Sequence, residues 1–360
     1  VQKAIYSQRR QNLVREFRAK GVDCLLVSAL PNIRYLAGFT GSNALLLLWE
    51  GGAVLFTDRR YEIQAGEECD CAVQVARGPL IPEALKLVRR RKLRRVGFES
   101  HRVLFDSYTE LCEGLRPGSR AVAVRGWVEG YRMVKAPEEI AAIRASVELN
   151  SRALERALKR LKPEMSEADL AAEIDYQMRR LGAEGTAFDT IVASGARAAL
   201  PHAQPTSARI EAAQVLLIDM GAKLGGYLSD MTRTLFVGGA GKRLLHYYAA
   251  VREAQMAGVE AVREGIAAEK VDAACRITLA RWRLDRFFVH STGHGLGLEI
   301  HEAPRLGKKV KTQLKAGMVI TIEPGVYIED FCGIRIEDTV LVTKNGCEVL
   351  TPTSKEPVVV

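Results

Sequence analysis

The sequence has 360 residues, 48% hydrophobic and 26% charged, with a formal net charge of +9. That balance is of a globular chain, and the length sets two domains as the expectation. No apolar run approaches the roughly 18 residues that cross a bilayer, and the N-terminal stretch has no apolar h-region, so neither a membrane partner nor a signal peptide is expected.

Seven cysteines, scattered from Cys24 to Cys347, form no disulfide framework, and Cys69-Asp-Cys71 is too tightly spaced for a Cys-x-x-Cys site. These features predict a cytoplasmic protein with reduced thiols. The positive balance raises a nucleic-acid reading, supported mainly by Arg89-Arg-Arg-Lys-Leu-Arg-Arg95. The run has no interleaved aromatics and falls where a helix should end, and cations suit that end of the dipole. A solvated helix end is therefore the preferred reading, and no nucleic-acid partner is expected.

Residues 3–20 read as an amphipathic helix stopped by Gly21, and residues 22–27 as a strand. Residues 31–42 read as a glycine-punctuated connector. Residues 44–49 and 53–57 then form a strand pair, and Asp58 is placed to cap a helix over 58–65. A strand at 72–75, a helix at 81–91, a strand at 96–98 and a helix at 105–115 follow. Strands alternating with helices predict an α/β layer domain, assigned to residues 1–127.

Residues 128–360 are assigned to a second, α+β domain. Pro137-Glu-Glu-Ile opens a helix to about residue 161, with proline and acids at its first turn. Ser166 and Asp169 make a capping-box pair for a second helix to about residue 181. From Phe188 the chain is strand-rich, with one further helix pair at 242–262 and 268–282 over a mostly antiparallel sheet.

The chemistry gathers in this second half. Val215-Leu-Leu-Ile runs straight into Asp219, and Asp230 follows after a glycine-bearing turn. An apolar run of this kind forms a buried strand, and an unpaired carboxylate carried inward with it costs several kcal/mol or more. Arg233 and Lys223 are the nearby candidate counter-ions. Thr321-Ile-Glu323-Pro repeats the design, a strand ending in a carboxylate that a proline terminates. Residues 333–342 read as one strand whose period of two puts Arg335 and Glu337 on one face, where Arg335 could neutralise the acid.

Three of the six histidines, His290, His294 and His301, lie among glycines that permit close backbone approach. In an extended chain His290 and His294 would share a face. Neither the G-x-G-x-x-G dinucleotide spacing nor the helical zincin motif is present. Asp219, Asp230, Glu323 and Glu337 converging with His294 would repel strongly, and two divalent cations would cancel that charge. One imidazole among carboxylates suits Mn²⁺, Co²⁺, Fe²⁺ or Zn²⁺, and two adjacent metals can acidify water and polarise a carbonyl.

These residues resemble a known family. Asp219 to Asp230 with Thr232-Arg-Thr, Gly293-His-Gly-Leu-Gly-Leu-Glu-Ile-His301, Thr321-Ile-Glu-Pro-Gly and Ile334-Arg-Ile-Glu-Asp338 are similar to the motifs of the creatinase/aminopeptidase P/prolidase metallopeptidases of pita-bread fold. Tyr35-Leu-Ala-Gly-Phe-Thr-Gly-Ser42 and Phe56-Thr-Asp-Arg-Arg-Tyr61 look like that family's N-terminal creatinase-type domain, and Phe188-Asp-Thr-Ile-Val-Ala-Ser-Gly195 with Pro201-His202 fits the start of its catalytic domain.

The resemblance implies two divalent metals, Mn²⁺ first with Co²⁺ or Zn²⁺ as alternatives. Asp219 would chelate one metal, Asp230 and Glu337 would bridge the pair, and His294 and Glu323 would complete the shell. It further implies attack by a metal-bridging hydroxide with Glu323 as proton shuttle. His290 and His301 would contact substrate, His202 would lie near its carbonyl, and Arg335 would support the site. The implied activity is hydrolysis of Xaa-Pro bonds at peptide N-termini, with a dipeptide-restricted prolidase as the alternative and a homodimer as the assembly. A non-catalytic binding protein on the same fold ranks lower, because every ligand position holds a competent residue.

Overall fold

The structure is a computed structural model that describes residues 2–360, with side chains from Ala4 onward. The chain divides into two compact units, one through Arg132 and the other Met133–Val360.

The first unit is an α/β layer. Helices α1 (Gln2–Arg15) and α2 (Phe17–Lys20) lead to strand β1 (Cys24–Val27), helix α3 (Leu30–Ala37) and the hairpin of β2 (Ala44–Trp49) and β3 (Gly52–Thr57). Helix α4 (Glu62–Glu68), β4 (Ala72–Val75), α5 (Leu80–Arg90), β5 (Arg95–Glu99), α6 (Phe105–Glu113), β6 (Arg120–Val124) and α7 (Trp127–Arg132) complete it. The six strands form one sheet in the order β4-β3-β2-β1-β5-β6. Central β1 and β2 are buried along their whole length, as their uninterrupted apolar runs require.

Two features differ from the sequence reading. The segment read as a connector contains α3, with Pro31 in its first turn and Gly38 closing it at φ 81°. The chain entering it is anchored from far along the sequence: Glu99 accepts from the backbone N–H groups of Ser28 (2.7 Å) and Ala29 (2.9 Å). Strand β6 and helix α7 also went unread. Trp127 Nε1 donates to Glu16 (2.9 Å) and Arg132 to Asn32 (2.6 Å), which fixes α7 within this unit. The basic run does end a helix. Arg89 donates to the Gly114 carbonyl (3.0 Å), Arg91 stacks on Trp49 and Arg95 pairs with Asp23 (2.6 Å).

The second unit is α+β. Helices α8 (Pro137–Leu158) and α9 (Glu167–Arg180) precede β7 (Gly185–Thr186), β8 (Ile191–Ser194), β9 (Val215–Met220), β10 (Ala222–Leu224), β11 (Tyr227–Leu228) and β12 (Met231–Phe236). Helices α10 (Lys242–Ala261) and α11 (Ala268–Arg281) follow. Strands β13 (Gly293–Gly295), β14 (Glu302–Leu306), β15 (Val319–Ile322), β16 (Gly325–Ile328), β17 (Cys332–Arg335), β18 (Asp338–Val342) and β19 (Cys347–Val349) close the chain. The named strands of this unit pair antiparallel.

Strand β9 shows why its run is apolar on every position. Val215 and Leu217 pack with α10 and α11 residues such as Val251 and Leu279, while Leu216 and Ile218 pack with Leu154 of α8 and Ile174 of α9. Both faces are covered, so no alternation is needed. Ser166 and Asp169 make the expected capping box at α9. All seven cysteines are free. Among the described residues, no helix is long and apolar enough to cross a membrane.

Candidate metal centre

All nine residues singled out from the sequence line one cavity of about 720 Å³ in the second unit. Strand ends and strand junctions deliver the acids and His294. Asp219 sits near the end of β9 opposite Thr232 in the β9–β12 ladder, and Asp230 immediately precedes β12. His294 lies at the middle of β13, and Glu323 follows β15. Glycine allows this approach: a Cβ at Gly293 would lie 1.9 Å from the Thr321 carbonyl oxygen, and one at Gly295 would lie 2.3 Å from that of Ala303.

The strand expected over 333–342 is two strands. β17 pairs with β16, β18 pairs with β15 and β19, and the chain breaks between them at Ile336 and Glu337. The Glu337 N–H leaves both ladders and donates to the Thr232 carbonyl (3.1 Å). This corner, rather than strand alternation, turns Glu337 inward. Arg335 accordingly pairs with Asp219 (2.6 Å) and not with Glu337. Arg233, one of the two nearby cations on the sequence, meets neither Asp219 nor Asp230 and ties the strands together behind them. It bonds the Glu337 carbonyl (2.5 Å), the Asp338 carboxylate (2.8 Å) and the carbonyls of Thr353 and Ser354.

Ligand atoms of Asp230, His294 and Glu337 lie within 4.8 Å of one another. His294 Nε2 is 3.5 Å from Asp230 Oδ2 and 3.5 Å from Glu323 Oε1. Asp219 stands outside the trio, with Oδ2 drawn to Arg335. Burial pushes the Asp230 and Glu337 carboxyls well above their usual range, and the surrounding acids push further, Glu337 and Asp219 on Asp230, Glu323 and Asp219 on Glu337. Burial also raises Glu323 to about 8, against the pull of Arg335.

Two atoms test whether metal fits here. Asp219 Oδ1 and Glu337 Oε1 are buried and have no hydrogen-bond partner. A buried carboxylate oxygen without a partner costs about 1–3 kcal/mol or more, and a divalent cation satisfies it. The donor set of carboxylates and one imidazole, without thiolate, suits that cation.

His290 is not on an extended strand shared with His294. It lies in the coil before β13, whose own pairing shifts register between Gly293 and Gly295. Both rings nevertheless meet at Glu323, His290 Nδ1 standing 3.9 Å from Oε2. The hydrogen-bond network assigns the His290 tautomer. Nδ1 donates to the Ser291 carbonyl (2.8 Å), and Nε2 accepts from the Tyr327 hydroxyl (2.8 Å), which itself accepts from Arg335 (2.6 Å). Burial, then the Arg335 charge, lowers His290 to about 4, so its ring is neutral near pH 7. His301 packs edge-on against His294 with centroids 4.4 Å apart, and both His301 and His202 are exposed to the cavity. Arg335 also donates to the Pro201 carbonyl (3.3 Å), which steadies the turn carrying His202.

Three supporting residues were given no role from sequence. Tyr327 is one. Thr232 donates to Glu337 Oε2 (2.7 Å) and accepts from Arg335 Nε (3.0 Å). Thr321 accepts from the His294 N–H (3.1 Å) and donates to Glu323 Oε1 (3.3 Å). Both threonines sit beside candidate ligands in the quoted motifs, and a buried polar residue in an apolar strand is the signal that marks them.

Residues 141–344 match the model of metallopeptidase family M24, and residues 9–134 match that of the creatinase/prolidase N-terminal domain. The chain belongs to metallopeptidase family M24. It is similar to the Xaa-Pro dipeptidase of Pyrococcus horikoshii, with 34% identity over 98% of this chain and 99% of that protein. Among solved structures, the Xaa-Pro dipeptidase from Bacillus anthracis superposes with a TM-score of 0.96 at 35% identity, covering 99% of this chain and 100% of that one. The X-Pro aminopeptidase from Thermotoga maritima gives 0.90 at 34% identity, covering 96% and 100%. This M24 chain therefore combines a creatinase-type α/β domain with an α+β pita-bread domain, and it is a hydrolase of the metallopeptidase class.

Proposed function

We propose that this M24 peptidase hydrolyses Xaa-Pro bonds at peptide N-termini, in the manner of an aminopeptidase P, with two divalent cations and Mn²⁺ as the first choice. The observation that carries the metal assignment is the pair of buried, unpartnered oxygens, Asp219 Oδ1 and Glu337 Oε1, in the cavity that also holds Asp230, His294 and Glu323. Bound there, divalent cations supply Lewis acidity, lowering the pKa of water and polarising a carbonyl.

The chain's own groups do the rest. Glu323, between the two histidines, is placed to carry a proton from water toward the leaving nitrogen. Arg335 orients Asp219 on one side and, through Tyr327, the His290 ring on the other. Both nitrogens of His290 are already engaged, so a direct bond to substrate would replace the Tyr327 hydroxyl. His202 and His301, exposed in the same cavity, are free to meet the substrate carbonyl. An Xaa-Pro bond lacks an N–H and has restricted geometry, so shape selects it, and Phe188 on the cavity wall is a candidate for that contact.

A cavity of about 720 Å³ has room for more than an Ala-Pro dipeptide, which supports the aminopeptidase reading. Arg305 favours a second one. It is exposed on the lining, with Nε donating to Ser291 Oγ (2.6 Å), and a cation there suits the terminal carboxylate of a dipeptide. The names of the Pyrococcus horikoshii and Bacillus anthracis relatives point the same way. The test is hydrolysis of Ala-Pro, Ala-Pro-Ala and longer Xaa-Pro-initiated peptides with Mn²⁺, Co²⁺ and Zn²⁺. Release of the first residue from the longer peptides supports the aminopeptidase; cleavage of the dipeptide alone supports the prolidase. No cleavage with any metal would refute both.

A further inference from the structure

Helix α11 carries an ion pair that the chemistry above leaves unused. Asp272 is 1% exposed and pairs one turn along with Arg276 (2.8 Å). A buried ion pair is weak ground for stability, so its other contacts decide what it does. Arg276 donates one guanidinium nitrogen to the Phe288 carbonyl (2.9 Å) and the other to the His290 carbonyl (2.6 Å). Its guanidinium carbon also stands 4.2 Å from the Phe288 ring centroid. The second Asp272 oxygen accepts from Thr292 Oγ1 (2.8 Å), and Thr292 is fully buried. The Thr292 carbonyl in turn accepts the Glu323 N–H (2.8 Å).

One helix turn therefore grips the coil on both sides of His290. That coil has no ladder partner of its own until Thr292 bonds Leu306 (2.8 Å) and β13 begins. Without the clamp, the His290 carbonyl loses its side-chain anchor, and the coil is held by the Arg305–Ser291 bond, the Phe288 N–H to Asp285 and the ring contacts of His290. A planar fork reaches two carbonyls two residues apart while keeping Asp272; a single ammonium cannot.

We propose that Arg276, oriented by Asp272, is a positioning residue that sets the His290 ring through the backbone of residues 288–292. The proposal rests on the peptidase reading for its kinetic consequence and on geometry alone for its structural one. Supporting residues of this kind are worth about 10–100-fold in activity when a site loses them.

The test is Arg276→Lys, which keeps the charge and the pairing with Asp272. Activity, metal content, thermal midpoint and histidine ¹⁵N side-chain spectra of the Zn²⁺-loaded protein are compared with the parent. The expected result is a kcat lower by about 10–100-fold with KM, metal content and midpoint near parental values, and with the His290 ring signals shifted while those of His294 stay. Unchanged kcat in a folded variant overturns the proposal, as does a loss of kcat that tracks lost metal while the His290 signals stay put. If the parent cleaves no Xaa-Pro peptide, the peptidase reading fails separately, and unshifted His290 signals in the variant still overturn the clamp. Should Arg276→Lys not fold, the near-isosteric Asp272→Asn carries the same comparison.

Discussion

Glu337 is buried, raised in pKa, and left with one oxygen that nothing in the protein satisfies. Its other oxygen is fixed by Thr232, so the carboxylate cannot turn away from the cavity. Glu337→Ala should therefore lose metal and at least about 100-fold in turnover, read by metal analysis beside kinetics; unaffected turnover would sink the assignment. His290→Ala differs in kind. His290 is not among the clustered donors of Asp230, His294 and Glu337, so the expected outcome is lost catalysis with metal retained, and metal loss in that variant would place His290 in the cage instead. Both stand out in the sequence because each breaks a local rule: Glu337 is an acid within an apolar strand pattern, and His290 begins a histidine cluster among glycines. Tyr327 breaks none. The β16–β17 hairpin brings it to Arg335, but its contact with His290 joins residues 37 apart in the chain, which is a non-local fact.

Elements were legible where their signals are local. The capping box of α9, the Pro137 start of α8 and the Glu50-Gly-Gly52 hairpin all lie within a few residues of the feature they set. Helix α3 was not legible, because its N-cap position is Ala29, which offers no side-chain cap, and the entering chain is anchored by Glu99 on β5. The break between β17 and β18 was hidden for a similar reason, since the alternation Ile334, Ile336 continues through it and only the Thr232 carbonyl diverts Glu337. The same logic of remote polar anchors gives a pH prediction. Asp23, beside β1, accepts from the Arg95 side chain and from the N–H groups of Arg94 and Arg95. Burial raises its pKa, but these hydrogen bonds outweigh that and leave it below the usual range. A lowered carboxyl stabilises the fold above its unfolded pKa of about 3.9 and loses that contribution as pH falls through the lower folded value. Asp23→Asn should thus cost about 1–2 kcal/mol near pH 7 in urea unfolding, with the difference from the parent shrinking below about pH 4. A difference that stays constant down to pH 2 would contradict this.

At the scale of the whole molecule, the second unit spends its hydrophobic packing on both faces of β9 to carry acids inward. Four carboxylates gathered this way repel one another, and Arg335, paired with Asp219, offsets only part of that charge. Cation binding therefore adds directly to folding stability, because ions that bind only the folded chain shift the equilibrium toward it. The measurement that tests this most directly follows a single preparation through chelation and reloading, recording metal content, thermal midpoint and hydrolysis of Ala-Pro-Ala at each step. The stripped protein should be inactive with a lower midpoint, and Mn²⁺ should restore both as about two ions bind per chain. Full hydrolysis by protein whose metal content has been shown to be zero would contradict this.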